Sequence, residues 1–299
     1  MLIRRFIYLY ITVTTLLGLL ILGGAVPARA QVGLGLVPMR VELKMAPGQQ
    51  YSGTLKLSSQ SGAKFRVRSE LDDFYIDDNS TPQFARDLPK EAANSCKSWL
   101  SLNPMEMELE KDGFLNVRYT LRLPAGVQEG SYNCAASFTT LPAAEQATAG
   151  IGMQMAVRIV AALYVQVGSP PVVGRLKEMK LEPVPASPPA ASGHQEGAAP
   201  EPSPSGGWQA VLVMENTGKM YYRPSGKLEV LDGAGQVVET ADLPSLPVLR
   251  ERDQRLVLPL KIKLEPGHYK LRARVDLGTG EIQEGSVTVT VEPSAPAAH

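Results

Sequence analysis

From Gln31 onward, apolar residues recur at every second position in short runs, and no 3.6-residue period persists for ten residues. A period of two places alternate side chains on opposite faces of a strand. Such runs are MRVELKM (39–45), YSGTLKLSS (51–59), KFRVRSEL (64–71), FLNVRYTLRL (114–123) and SYNCAASFTTL (131–141). Between them, APGQ at 46, KDG at 111 and PAGVQEG at 124 put glycine where a positive φ costs little. Short alternating strands separated by turns predict an all-β chain built from sandwiches.

One run is too long for that pattern. GIGMQMAVRIVAALYVQV (150–167) puts Ile151, Met153, Met155, Val157, Ile159, Ala161, Leu163 and Val165 on one face, whereas strands are commonly about 5 to 6 residues long. Something must cover the surplus apolar face. Its first half, with Gly150, Gly152 and methionines, suits an adaptable surface. IVAALYV suits burial on both sides. An ordinary long core strand is the plainer explanation of the whole run.

Composition shifts near Gly168. GRLKEMKLEPV (174–184) reads as a strand, and the following 183–207 is rich in Pro, Ala, Gly and Ser and lacks core-forming residues. Beyond it, WQAVLVMENTG (208–218), GKLEVLDGAGQVVET (226–240), RLVLPLKIKL (255–264), HYKLRARVDLG (268–278) and GSVTVTV (285–291) alternate again, with a hairpin signal at Asp232-Gly233-Ala234-Gly235. The expected organisation is a first domain over 31–168, a second over 169–292 with an insertion at 183–207, and a frayed tail at 293–299.

The chain opens with Arg4 and Arg5, an apolar stretch and Ala28-Arg29-Ala30, the order of a secretory signal peptide cleaved after Ala30. An uncleaved anchor is the alternative, since 6–26 could just span a bilayer. Cleavage removes Arg4, Arg5 and Arg29, leaving 27 of the 30 basic residues against 30 acidic ones. That balance offers no basic stripe for nucleic acid. In an exported chain the two cysteines, Cys96 and Cys134, read as a structural disulfide, with two buried free thiols as the alternative.

These runs resemble the periplasmic pilus-assembly chaperones of the chaperone/usher pathway, as a divergent member. LVPMRVELKM is similar to the family's first strand, with Arg40 at its cleft arginine. WLSLNPMEMELEKDGFLNVRYTLRLPAGVQEGSYNCAASF resembles its middle strands, and 150–167 its long last strand. ENTGKMYYRPSGKLEVLDGAGQVV, LPVLRERDQRLVLPL and EPGHYKLRARVDLG resemble the second domain. The resemblance implies two tandem immunoglobulin-like β-sandwich domains and a periplasmic location. It also implies a chaperone that lends its long strand to a pilin-like or secreted subunit, with an outer-membrane usher as a second partner. Strand addition draws affinity from main-chain hydrogen bonds and specificity from alternate side chains. The client-binding candidates are Arg40, Ile151, Met153, Met155, Val157 and Arg158. The family's lysine falls at Ala161, which removes one half of its grip on a client's terminal carboxylate; Arg158, three residues away, faces the other side.

The acidic stretch ELDDFYIDDNS, with Glu70, Asp72, Asp73, Asp77 and Asp78, lacks the glycine-centred EF-hand pattern and reads as a solvated strand end. His194, His268 and His299 form no metal-ligand spacing, and no nucleophile elbow, P-loop or dinucleotide fingerprint occurs. Neither an enzyme nor a cofactor or metal protein is expected. The alternative to the chaperone, from a different class, is a structural or adhesive immunoglobulin-like module of the cell envelope, in which the edge and apolar face of 150–160 would be buried.

Overall fold

The computed structural model describes residues 33–61, 64–85, 94–141, 156–184 and 207–292. Residues 1–32, the 142–155 part of the long run with Ile151, Met153 and Met155, most of the Pro-rich insertion and the tail lie outside them. The described chain forms two β-sandwiches.

In the first, β1 (Leu34–Val37), β3 (Gln50–Ser59), β8 (Phe114–Arg122) and β6 (Leu100–Asn103) make a four-stranded sheet in the order β1-β3-β8-β6. The facing sheet runs β2 (Arg40–Met45), β10 (Arg158–Val167), β9 (Gly130–Leu141), β4 (Phe65–Ile76) and β5 (Pro82–Ala85), with β7 (Glu106–Leu109) also paired to β4. Two stretches quoted for the resemblance are broken by proline. LVPMRVELKM splits at Pro38 into β1 and β2, which join opposite sheets, and LSLNPMEMEL splits at Pro104 into β6 and β7. Proline has no N–H to give a ladder, so the strand stops there and the chain crosses to the other sheet.

Alternation decides what is inside. Val41, Leu55, Leu57, Val67, Val117, Leu121, Phe138, Leu163 and Val165 fill the space between the sheets, and most are wholly buried. Each such aliphatic side chain stabilises by about 1.5 to 3 kcal/mol. The Cys96–Cys134 disulfide is present and sits in this core. At the KDG turn it is Asp112, at φ 49°, rather than the glycine that takes the left-handed conformation.

The second sandwich packs β11 (Gly174–Pro183), β12 (Trp208–Asn216) and β15 (Arg252–Pro259) against β14 (Val237–Asp242), β13 (Ser225–Leu231), β16 (Gly267–Asp276) and β17 (Ile282–Val291), each sheet in that order. Pro183 pairs with Trp208, so the insertion joins the adjacent ends of an antiparallel pair. Asp232 Oδ1 accepts from the Ala234 and Gln236 amides, closing the β13–β14 turn expected there. The 255–264 run departs from expectation: its strand begins at Arg252 and ends at Pro259, again because proline closes the ladder.

Candidate functional site

The long run enters the described structure at Ala156. Within β10 the odd residues Ala161, Leu163, Val165 and Val167 are wholly buried in the first core, and Ile159 packs against it. The even residues face the second sandwich. Val160, Ala162 and Tyr164 join Phe74, Phe84, Ala135, Tyr221 and Leu249 in a smaller apolar cluster. The second half of the run is therefore covered on both faces.

Its edges differ. Along β9, β10 is paired antiparallel over its full length, from Arg158↔Thr139 to Val167↔Gly130. Along β2 the pairing is parallel and begins only at Ala162↔Arg40, where the Ala162 amide donates to the Met39 carbonyl. Over Arg158 to Ala161 no described strand lies on the β2 side, because the chain before Arg40 has crossed into β1 of the other sheet. The Val157 carbonyl accepts from the Thr140 amide and so points to β9, while the Ala162 amide points to β2. By alternation along the ladder, the main-chain groups of Arg158 and Val160 point at the open edge. Met39, more than half exposed, stands beside it.

The sequence-derived candidates fall in three places. Ile151, Met153 and Met155 lie outside the described residues. Val157, half-buried, donates its amide N–H to Thr140 Oγ1 at 2.9 Å. Arg158 turns its guanidinium back over the sheet, where Nη2 donates to Asp72 Oδ2 and to Ser137 Oγ. Arg40 is exposed at the start of β2, with Nε 3.3 Å from Glu42 Oε1. Arg223, from the second sandwich, approaches the same carboxylate oxygen at 3.5 Å and lies over the Tyr164 ring at 4.9 Å. Burial pushes the Tyr164 phenol above its ordinary pKa.

The acidic stretch corrects its sequence reading. Asp72 is wholly buried and Asp73 nearly so, because β4 runs on to Ile76 rather than ending near Leu71. Ser137 Oγ donates to Asp72 Oδ2, and Asp72 Oδ1 is buried with no hydrogen-bond partner. Ser95 Oγ donates to Asp73, and Lys97 Nζ lies 3.4 Å from it. A lone arginine in an apolar strand needs a counter-charge; that was the available signal for Asp72. Among the described residues, no group of three His, Cys, Asp or Glu side chains could hold a metal ion.

No protein-family description matches the chain, and no curated protein matches it. Solved structures similar to it include fimbrial chaperones. The class 5 fimbriae chaperone CfaA shares 9% identity over 87% of this chain and 100% of its own, with a TM-score of 0.43. A chain of the Salmonella enterica SafA pilin–SafB chaperone complex shares 14% over 88% and 99%, at 0.42. The chaperone YadV shares 12% over 86% and 99%, also at 0.42. These are likenesses in the arrangement of strands.

Proposed function

We propose that this chain is an exported, periplasmic chaperone that holds secreted or pilus subunits by pairing the open edge of β10 with an extended strand of the client. The observation that carries the reading is the start of β10, paired, among the described residues, through β9 alone over Arg158 to Ala161. A strand added there would take main-chain bonds from Arg158 and Val160. In this reading the alternating Ile151, Met153, Met155 and Val157 of the sequence would supply the side chains that enter the client's groove. Arg40 stands where the open edge ends, and a client carboxylate would compete there with Glu42 for its guanidinium. Arg158 contributes its backbone, its guanidinium being held by Asp72. An outer-membrane usher is the second partner of this reading.

Proline separates edge from fold. Val160→Pro removes an N–H that points away from β9, so the home ladder stays intact and stability falls by no more than about 1 kcal/mol. Ile159→Pro removes an N–H directed at β9, breaks the home ladder and destabilises more than Val160→Pro. The test is recovery of co-purifying pilin-like chains from the native periplasm. The reading requires Val160→Pro to stay folded and lose the client; a folded Val160→Pro protein that still recovers it in full refutes strand addition at this edge.

A further inference from the structure

The acidic stretch that no client contact uses has a place of its own in the fold. β4 pairs with β9 only as far as Asp72↔Ala135. From Asp73 it leaves the sheet and pairs with β5 instead, from Asp73↔Ala85 to Ile76↔Pro82. Asn94 to Cys96 fills the vacated place beside β9: the Asn133 amide donates to the Asn94 carbonyl at 2.9 Å and the Cys96 amide to the Asn133 carbonyl at 3.2 Å. A two-stranded ribbon thus projects from the first sandwich.

Both ends of the ribbon are secured. At its root, Asp72 is held by Arg158 and Ser137, Asp73 by Ser95 and Lys97, and the Phe74 carbonyl accepts from Asn133 Nδ2 at 2.7 Å. At its tip, Asp77 Oδ1 accepts from the Asn79 and Thr81 amides, and Oδ2 from Gln83 Nε2. Ser80 sits at φ 63°, a left-handed conformation that a non-glycine residue adopts at a cost. Its hydroxyl donates to the Arg255 carbonyl of the second sandwich at 2.6 Å. Gln254 Nε2 donates back to the Asp77 carbonyl at 3.3 Å, and the Arg252 guanidinium lies 5.8 Å from the Tyr75 ring.

A separate elbow joins the sandwiches at the start of β9. The Ser131 amide donates to the Lys219 carbonyl at 2.8 Å, and the Tyr221 amide donates to Ser131 Oγ at 2.8 Å. Between elbow and ribbon tip lie Phe74, Tyr164 and Tyr221, their successive ring centroids 5.3 and 4.9 Å apart. One attachment permits hinge rotation; two attachments flanking a packed aromatic layer do not.

We infer that the β4–β5 ribbon is an interdomain strut that fixes the angle of the second sandwich to the first, with Ser80 as its bridging residue. The inference rests on the contacts between the sandwiches and holds whatever β10 binds. It also explains why Ser80 keeps a strained backbone: glycine would adopt that φ freely but carries no hydroxyl to cross the gap.

The test is the distribution of distances between spin labels at Asn116→Cys in β8 and Thr288→Cys in β17, both exposed, attached without reductant so that Cys96–Cys134 stays closed. The otherwise native chain should give one narrow distribution. Ser80→Gly with Gln254→Ala should at least double its width, and Ser80→Gly alone, which relieves the backbone while removing one bridge, should give an intermediate width. The single variant carries the test if the double one does not fold. Widths that match the parent in the folded variants overturn the strut and leave the elbow as the sole determinant of the angle.

Discussion

Replacing Arg158 with methionine tests the electrostatics beneath the open edge. The change keeps most of the aliphatic stem and deletes the guanidinium that faces a wholly buried Asp72. Removing one partner of a buried ion pair costs about 3 to 5 kcal/mol, because the remaining charge is left uncompensated. Here two features reduce that figure. The Arg158 side chain is 39% exposed, so solvent already screens part of its attraction, and the Ser137 hydroxyl still donates to Asp72 Oδ2. The expected loss is about 2 to 3 kcal/mol, or a fall of about 7 °C in the thermal midpoint.

The partner variant separates charge from shape. Asp72→Asn combined with Arg158→Met removes both charges while leaving an acceptor for the Ser137 hydroxyl, so the double variant should recover to within about 1 kcal/mol of the parent. Reversible urea denaturation of the four proteins closes the cycle, and the coupling energy should be about 1.5 kcal/mol or more. A double variant as unstable as Arg158→Met would mean that lost packing, and not an unpaired carboxylate, explains the single mutant. A midpoint unchanged in Arg158→Met would show that Asp72 is neutralised by something else.

Three further outcomes are expected. Replacing Cys96 and Cys134 by alanine opens a loop with a sequence separation of 38 and should cost about 4 kcal/mol in the chain-entropy model, read as a lower denaturation midpoint. Met153→Asp with Met155→Asp should leave the melt nearly unchanged and abolish client recovery, whereas Leu163→Asp, at a wholly buried position, should unfold the domain; equal loss of fold in both would make 151–155 ordinary core. Burial raises the Tyr221 phenol to about 12, so its neutral form stabilises the folded chain fully below the unfolded value of about 10; that contribution is lost as pH climbs toward 12, and Tyr221→Phe should show a shallower alkaline decline.

The strand runs were legible because a period of two is written directly into residues such as Leu55, Leu57, Val117 and Leu121, whose alternate neighbours are exposed or half-buried. The same rule located Leu163 and Val165 in the core, where Ala161 and Val167 also lie. It says nothing about which strand lies beside which. That the β2 side of β10 is open over Arg158 to Ala161 follows from Pro38 sending the chain into the opposite sheet, a crossing that the likeness of LVPMRVELKM to a single first strand did not show.

Misreading the acidic run has a different cause. Period-two logic assigns one face of a strand to the core and the other to water, which holds only while a sandwich stands alone. Here the outer face of the sheet carrying Asp72, Phe74, Ser137 and Tyr164 is covered by a second sandwich. A charged residue on that face must then be paired rather than hydrated, and Asp72 is, with Arg158; Asp73, next along the strand and so pointing the other way, is paired with Lys97. Both partners are far away in sequence, so no local pattern announces them. The visible trace is the apolar company the carboxylates keep: Leu71, Phe74 and Ile76 flank the two aspartates, and a run meant for solvent has no use for three such side chains.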